Sequence, residues 1–226
     1  MQIRYQRLLL PACVLLLAAC QDRTPPSPPS APPHAADATA AGAQPAAATP
    51  WSSHSVWNGD LNACRQGDAA ATRDCLLQAM RTAGASAAAI SAAEQVSSGG
   101  ELGHVSAWHP HEGIGVATVE YPFRANTNQS TRLVDAAGKR IDVDADPTTG
   151  ELAAVPALRS LLASHPDATL FAPAQSVGSA PLDGGGVRLI YQTPLRDCHA
   201  CADVAMLKVG YDFDAQRRFV GKALVE

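Results

Sequence analysis

A change in composition at residue 50 decides how much of this chain can fold. Eight of the 17 prolines lie between Gln21 and Pro50, and ten of the twenty residues from Ala31 to Pro50 are alanine. Such a segment buries too little apolar surface to offset the entropy that it would lose on ordering. The composition therefore predicts a disordered tether over 20–50, and it leaves 51–226, about 175 residues, for a single globular domain.

The chain begins with the features of a secretory signal. Arg4 and Arg7 form a short positive head, and an apolar run follows from Leu8 to Ala19. This run is too short to span a bilayer as a permanent helix. The ending Leu17-Ala18-Ala19-Cys20 resembles the lipobox of bacterial lipoproteins. Residues 1–19 are therefore predicted to be a signal peptide.

The lipobox resemblance implies a membrane anchor. In that family the cysteine is acylated and becomes the new N-terminus, so Cys20 is expected to carry the lipid and to hold the domain in the periplasm. Gln21 follows the cysteine at the place where aspartate retains some bacterial lipoproteins in the inner membrane. This favours the outer membrane, although Asp22, one place later, keeps both membranes open.

The charge balance argues against two kinds of partner. The whole chain carries −4, and loss of Arg4 and Arg7 with the signal leaves 15 basic and 21 acidic residues, a charge of −6. Nucleic-acid binding needs a basic stripe, which the sequence lacks, and a polybasic membrane patch is absent for the same reason. The expected partners are the membrane, through the lipid, and an envelope protein or cell-wall component, with no nucleic acid.

Four cysteines remain once Cys13 leaves with the signal and Cys20 carries lipid. They are Cys64, Cys75, Cys198 and Cys201. An even number in an exported chain predicts two disulfides. Proximity in sequence favours Cys64 with Cys75 and Cys198 with Cys201, while the two crossed arrangements stay open.

Hydrophobic periodicity predicts helices first and strands afterwards. Two or three short helices are expected between about Asp60 and Ser97, with a break at Gly84 and Ser86 capping the next helix. A further helix is expected over Pro156 to Ser164. Strands are expected over Ile114 to Tyr121, Arg140 to Asp144, Val187 to Tyr191, Ala205 to Phe213 and Phe219 to Val225.

The order of these elements predicts an α+β fold, with N-terminal short helices followed by a mostly antiparallel sheet, one inserted helix and disulfide staples. Trp51 and Trp57 open the domain and are interpreted as packing anchors. Three segments that begin with aspartate, at Asp135, Asp146 and Asp214, are interpreted as hairpin turns because aspartate is a common turn residue.

The acidic run after residue 140 has the residue types of a calcium site without its spacing. Asp142, Asp144 and Asp146 begin like an EF-hand loop. Pro147 then stands where the loop needs its glycine, and Ala153 stands where it needs glutamate. The three aspartates are therefore only weak metal candidates.

A histidine pair is the other weak metal candidate. His109 and His111 can share one face of a strand. The segment does not match the HExxH pattern of zinc enzymes, and a loop or surface histidine cluster is commoner than a metal site. No metal and no other cofactor is predicted.

The motif Cys198-His199-Ala200-Cys201 resembles the active sites of periplasmic thiol oxidoreductases, in which a helix N-terminus activates the first thiol. Strand-like residues begin at Ala205 and leave no room for a long helix, and Asp197 and Asp203 disfavour a thiolate. The motif is interpreted as a structural disulfide. A thiol-redox or metal-binding protein that uses it is the alternative.

The stretch from 121 to 128 is the candidate recognition loop. It follows a predicted strand, and its members are of types enriched in binding loops: Tyr121, Phe123, Arg124, Asn126 and Asn128. The alternative is a strand end whose aromatic side chains pack inward and whose asparagines make a turn.

Catalytic motifs are mostly missing from the sequence, which has no nucleophile elbow and no phosphate-binding loop. The chain is therefore expected to be a non-catalytic envelope lipoprotein that binds an envelope protein or a cell-wall component. An inhibitor or immunity lipoprotein is a sharper version of this class. A cell-wall hydrolase that uses a glutamate pair is the third alternative.

Overall fold

The computed structural model of this protein describes residues 50–65 and 69–225. The predicted signal peptide, the lipidation at Cys20 and the tether up to residue 49 lie outside the described residues. Within the described ranges, the helices are α1 (Ala69–Thr82), α2 (Ala87–Ser97) and α3 (Pro156–Ser164). The strands are β1 (His104–His111), β2 (Ile114–Glu120), β3 (Gln129–Val134), β4 (Arg140–Asp142), β5 (Thr169–Leu170), β6 (Gln175–Pro181), β7 (Val187–Arg196), β8 (Ala205–Phe213) and β9 (Phe219–Val225).

Local signals explain where the helices begin and end. After α1 the chain turns at Gly84, whose φ is 73°, a conformation that costs glycine little. The Ser86 hydroxyl then accepts the N–H of Ala89 at 3.0 Å and caps α2. Proline suits the first turn of α3, and the His165-Pro166 pair stops this helix. The predicted break, cap and inserted helix are confirmed.

The strands form two antiparallel sheets. The first has the order β1-β2-β3-β4, and the second has the order β5-β7-β8-β9, with β6 also paired to β7. The predicted α+β fold, with helices first and one inserted helix, is confirmed. Division into two sheets is not visible in the sequence, and β3 and β6 were not predicted because their polar residues show no clear alternation.

The first sheet is the middle layer of the described domain. On one face, Ala117 and Val119 of β2 pack in a cluster with Ala92 of α2. On the other face, Val116 lies in a larger core with Phe213 of the second sheet. Burial on both faces explains why the β2 sequence is almost continuously apolar, since successive side chains of a strand point to opposite faces.

Two hairpin turns have the same construction. Asp135 stands between β3 and β4, and Asp214 stands between β8 and β9. In each turn the aspartate Oδ1 accepts the backbone N–H groups two and four residues further on, at 2.9 and 2.8 Å. Both predicted hairpins are confirmed. The turn at Asp146 leads instead into a short 3₁₀ turn and α3, so that hairpin prediction was wrong.

The two matching turns are bonded to each other. The second carboxylate oxygen of Asp135 accepts the N–H of Phe219 at 3.0 Å, and the N–H of Ala136 donates to the carbonyl of Arg217 at 3.0 Å. Asp135 is only 7% exposed. Its side chain therefore shapes one hairpin and also holds the first residue of β9 in the other sheet.

Both disulfides join cysteines that are close in sequence. Cys64 bonds to Cys75, which links a short 3₁₀ turn to α1, and Cys198 bonds to Cys201 in the loop between β7 and β8. This is the pairing favoured by proximity. No helix in the described part of the chain has both the length and the hydropathy to cross a bilayer.

Candidate functional site

The predicted recognition loop separates into three parts. Tyr121 is 2% exposed and lies under the Arg124 guanidinium, whose central carbon is 3.7 Å from the ring centre. Phe123 instead packs against the helical cluster around Trp57. Asn126 and Asn128 are exposed. Tyr121 and Arg124 are thus placed together, whereas Phe123 follows the inward-packing alternative.

Tyr121 and Arg124 border a cleft of about 400 Å³ beside α2. We call it the arginine-aromatic cleft. Its charged and aromatic lining consists of Trp51, Glu101, Tyr121, Arg124, Arg132, Arg140 and Asp142. Three guanidinium groups thus face two carboxylates, which leaves one positive charge in excess.

Strand register places two of the arginines on the same face. Arg132 of β3 lies opposite Asp142 of β4, and Val134 lies opposite Arg140. Val134 packs with Trp51 on the helix side of the first sheet. Because side chains alternate along a strand, Arg132, Arg140 and Asp142 share that side, while Ile141 between them joins the core.

Two of the three arginines are already paired. Arg124 Nε contacts Glu101 Oε2 at 3.0 Å. Arg132 forms an ion pair with Asp142, and it also donates to the Tyr121 hydroxyl at 2.8 Å. These contacts fix the position of the two guanidinium groups and of the ring between them.

Arg140 is different. Its guanidinium lies over the Trp51 ring at 5.2 Å, and no carboxylate within ion-pair distance of it occurs in the described ranges. Arg140 is exposed, but partial desolvation in the cleft and the positive charge of Arg132 lower the pKa of its guanidinium. An anion placed between Arg132 and Arg140 would relieve this repulsion, so the cleft is suited electrostatically to a carboxylate or another anion.

The three aspartates of the calcium hypothesis do not share a site. Asp142 is paired with Arg132. The two oxygens of Asp144 accept backbone N–H groups from β3, at 2.8 Å, and from the segment before β6, at 2.6 Å. Asp146 accepts the N–H two residues further on, at 2.8 Å. Burial raises the pKa of Asp144, and its two hydrogen bonds oppose that shift.

The histidine pair has no further metal ligand beside it in the described ranges. His109 and His111 lie two residues apart on β1, as the strand interpretation requires. Among the described residues, no group of three histidine, cysteine, aspartate or glutamate side chains is arranged to hold a metal ion.

His104, at the start of β1, is buried, with 3% of its surface exposed. Its ring packs edge-on against Trp57, with 5.0 Å between ring centres. Burial lowers the pKa of His104 to about 4, from the ordinary histidine value of 6.5. At pH values between about 4 and 6.5, His104 therefore binds a proton in the unfolded chain but not in the folded chain.

Acidification should therefore destabilise the domain through His104. Neutral His104 makes its full contribution to the free energy of unfolding above pH 6.5, the pKa that it has in the unfolded chain. This contribution is lost as the pH falls toward about 4, the pKa in the folded chain. The free energy of unfolding should decrease by about 2 kcal/mol by about pH 5. Urea unfolding at a series of pH values measures it. His104→Phe keeps a ring against Trp57 and should flatten this part of the profile. An unchanged profile in the variant would show that another group is responsible.

The CxxC segment is exposed and has no helix behind it. After the Cys198 to Cys201 disulfide, the chain enters β8 at Ala205, and the His199 ring lies 5.6 Å from that of Phe171. The helix N-terminus that activates a redox thiol is therefore not present at this place in the fold. The structural interpretation fits this geometry, and the redox alternative stays a prediction to be tested by thiol assay.

The arginine-aromatic cleft thus brings together charged and aromatic residues from several separate segments of the described chain. Sequence reasoning found Tyr121 and Arg124, treated Trp51 as a packing residue only, and missed Arg132 and Arg140. The alternation of Arg140 with apolar Ile141 was a usable signal, but its partner strand β3 was not predicted. No protein-family model, curated protein or solved structure matches this chain.

Proposed function

We propose that this protein is a non-catalytic cell-envelope lipoprotein that binds a carboxylate-bearing partner, a cell-wall component or an envelope protein, in the arginine-aromatic cleft. The observation that carries the proposal is the guanidinium of Arg140, which lies over Trp51 and close to the charge of Arg132 and has no carboxylate partner among the described residues. In an acidic chain, such a local positive site favours a specific anionic ligand over general electrostatic attraction.

The chemistry of the lining supports a carboxylate. A guanidinium offers parallel N–H groups that match the two oxygens of a carboxylate, and this pairing is stronger where water is partly excluded. The rings of Trp51 and Tyr121 supply flat apolar surface beside the charges. Such a mixture of arginine and aromatic residues is typical of binding centres.

The envelope location is proposed from the N-terminal sequence and the cysteines. The lipobox-like ending at Cys20 is the proposed site of acylation, with the outer membrane as the proposed membrane. Two disulfides support an oxidising compartment. Peptide stems of a bacterial cell wall and acidic protein segments both present carboxylates there, so the cleft would be filled from the periplasmic side.

Binding to isolated cell-wall sacculi tests the cleft. We expect the mature protein to sediment with sacculi and Arg140→Gln to bind at least tenfold more weakly, equivalent to about 1.4 kcal/mol, because the variant removes the unpaired charge. High salt should weaken binding of the wild type. Arg159→Gln, at an exposed position of α3 outside the cleft, is the matched control and should bind like the wild type.

The same variants distinguish the two kinds of partner. If the wild type does not bind sacculi but binds an acidic envelope protein, and Arg140→Gln does not bind that protein, the cleft is assigned to protein recognition. Equal binding by wild type and Arg140→Gln in both assays would contradict a role for the cleft.

A further inference from the structure

The loop that follows Trp57 contains a reactive pair of residues. Of the four asparagines in the chain, only Asn58 is followed by glycine, at Gly59. The others precede residues that carry a side chain: Asn62, Asn126 and Asn128. Glycine has no side chain to hinder the approach of its backbone nitrogen to the side-chain carbonyl carbon of the preceding asparagine. An Asn-Gly pair therefore favours ring closure between these two atoms, the reaction by which asparagine loses ammonia.

Both reacting groups are accessible in the folded domain. Asn58 and Gly59 are exposed and lie outside the described helices and strands. Within 50–65 and 69–225, the Asn58 side chain has no hydrogen-bond partner, and the Gly59 N–H has no acceptor. The next bonded group of this loop is the N–H of Asn62, which donates to Asp60 Oδ1 at 2.8 Å. Ring closure therefore breaks no hydrogen bond between the described residues.

The same loop borders a polar pocket that solvent can enter. Asn58 and Asp60 lie in its wall together with Arg65 and Glu120, and its volume is about 320 Å³. Because Asn58, Asp60 and Arg65 are exposed, water reaches the loop and can open a ring formed there. A carboxylate produced at position 58 would join those of Asp60 and Glu120 and would make the domain more negative by one charge.

The Trp57 ring restricts the backbone at Gly59. A Cβ atom added to Gly59 would lie 2.1 Å from Cζ2 of this ring, so the backbone and the ring are in close contact. Trp57 is itself buried and packs with Leu61 and Leu76 in the helical cluster. A backbone lengthened by one methylene at position 58 would therefore displace either Gly59 or the ring. An aspartate at position 58 keeps the backbone length and fits the same loop.

We infer that Asn58 is a site of spontaneous deamidation in the folded domain and that its isoaspartate product loosens the packing of Trp57. The Gly59 nitrogen bonds to the side-chain carbonyl carbon of Asn58, and the amide nitrogen leaves as ammonia with the proton of Gly59. Water then opens the resulting succinimide ring and returns a proton to the Gly59 nitrogen. Opening at the side-chain carbonyl gives aspartate, whereas opening at the backbone carbonyl gives isoaspartate, whose backbone is one methylene longer. The inference does not depend on the function proposed for the arginine-aromatic cleft.

Peptide mass spectrometry tests the reaction on the mature protein, incubated in mildly alkaline buffer at body temperature while circular dichroism checks that it stays folded. We expect deamidation at Asn58 to be roughly tenfold faster than at the other three asparagines, because their following residues have side chains. Asn58→Gln is the matched control and should stay intact, since glutamine would have to close a larger ring. No mass gain at Asn58, equal rates at all four asparagines, or a gain only in urea would overturn the inference.

Separation of the two products tests the effect on Trp57. Anion exchange isolates the deamidated protein, and digestion with a protease that cleaves before aspartate but not before isoaspartate identifies each fraction. We expect the isoaspartate form to unfold at a lower urea concentration than the unmodified protein, whereas Asn58→Asp should unfold at the same concentration as wild type. Equal urea midpoints of the isoaspartate form and the wild type would contradict the loosening of Trp57. An Asn58→Asp midpoint as low as that of the isoaspartate form would also contradict it, because the added charge would then explain the loss.

Discussion

Replacing Asp135 with alanine should lower the free energy of unfolding by about 3 to 4 kcal/mol, because three backbone N–H groups lose their acceptor together and unmade hydrogen bonds at buried positions cost about 1 to 3 kcal/mol each. Two of these N–H groups belong to its own turn, and the third is that of Phe219 in the other sheet. Partial access of water to the turn keeps the total below the sum of three buried losses. Urea unfolding followed by circular dichroism measures the change.

Asp214 provides the matched control for this prediction. Its Oδ1 accepts the two corresponding N–H groups within its own turn, but its Oδ2 is bonded to the side chain of Arg218 and, among the described residues, to no backbone N–H of the other sheet. Asp214→Ala should therefore be clearly less destabilising than Asp135→Ala. Equal effects of the two substitutions would mean that the bond between the sheets contributes nothing.

An asparagine variant isolates that bond. Asp135→Asn keeps the oxygen that accepts within the turn and replaces the other with an amide N–H₂, which faces the Phe219 N–H as a second donor. We expect a loss of about 1 to 2 kcal/mol, intermediate between wild type and Asp135→Ala. If Asp135→Asn leaves the free energy of unfolding unchanged, the whole loss in the alanine variant comes from the two hydrogen bonds within the turn.

The role of Asp135 shows which parts of the fold could be predicted from sequence. The Asp-led turn was readable because aspartate bonds to its own following backbone, a local interaction that leaves a local pattern. The bond to Phe219 spans 84 positions and depends on how two sheets meet. No short stretch of sequence records that contact, and for the same reason the division of the strands into two sheets could not be predicted.

Strands with one buried face were easier to predict than exposed strands. The predicted bounds of β8 are those of the structure, because Leu207, Val209 and Tyr211 alternate with polar or small residues. β6 is exposed along most of its length and is held by pairing with β7. Its backbone hydrogen bonds, rather than a buried face, define it, so its sequence lacks the alternation by which a strand is recognised.

The candidate site, too, could be predicted only where its residues are neighbours in sequence. Tyr121 and Arg124 were found because they are neighbours in sequence and have residue types common in binding loops. Arg132 and Arg140 join them only through the pairing of β3 with β4. Trp51 comes from a segment before all the helices. A site assembled from separate elements can be recognised only when the register of the sheet is known.

The second large effect is expected in the helical part of the domain. Replacing both Cys64 and Cys75 with alanine should lower the free energy of unfolding by about 3 kcal/mol, because the crosslink closes a loop of eleven residues and restricts the unfolded chain. Cys64 is also 2% exposed and packs with Trp57, Leu61 and Leu76 in the helical cluster. Loss of the sulfur atoms therefore removes core contacts in addition to the covalent link.

The other disulfide is the control, since its loop spans three residues and it lies at the surface. The double substitution of Cys198 and Cys201 should lower the free energy of unfolding, measured in urea, by less than that of Cys64 and Cys75.

Mild reductant should open the exposed bond first while the domain stays folded, which thiol counting by mass spectrometry would detect. Because α2 borders the arginine-aromatic cleft and packs on α1, loss of the Cys64 to Cys75 bond should also weaken binding there. Earlier reduction of Cys64 and Cys75, or equal costs for the two pairs, would show that the buried disulfide does not stabilise this layer.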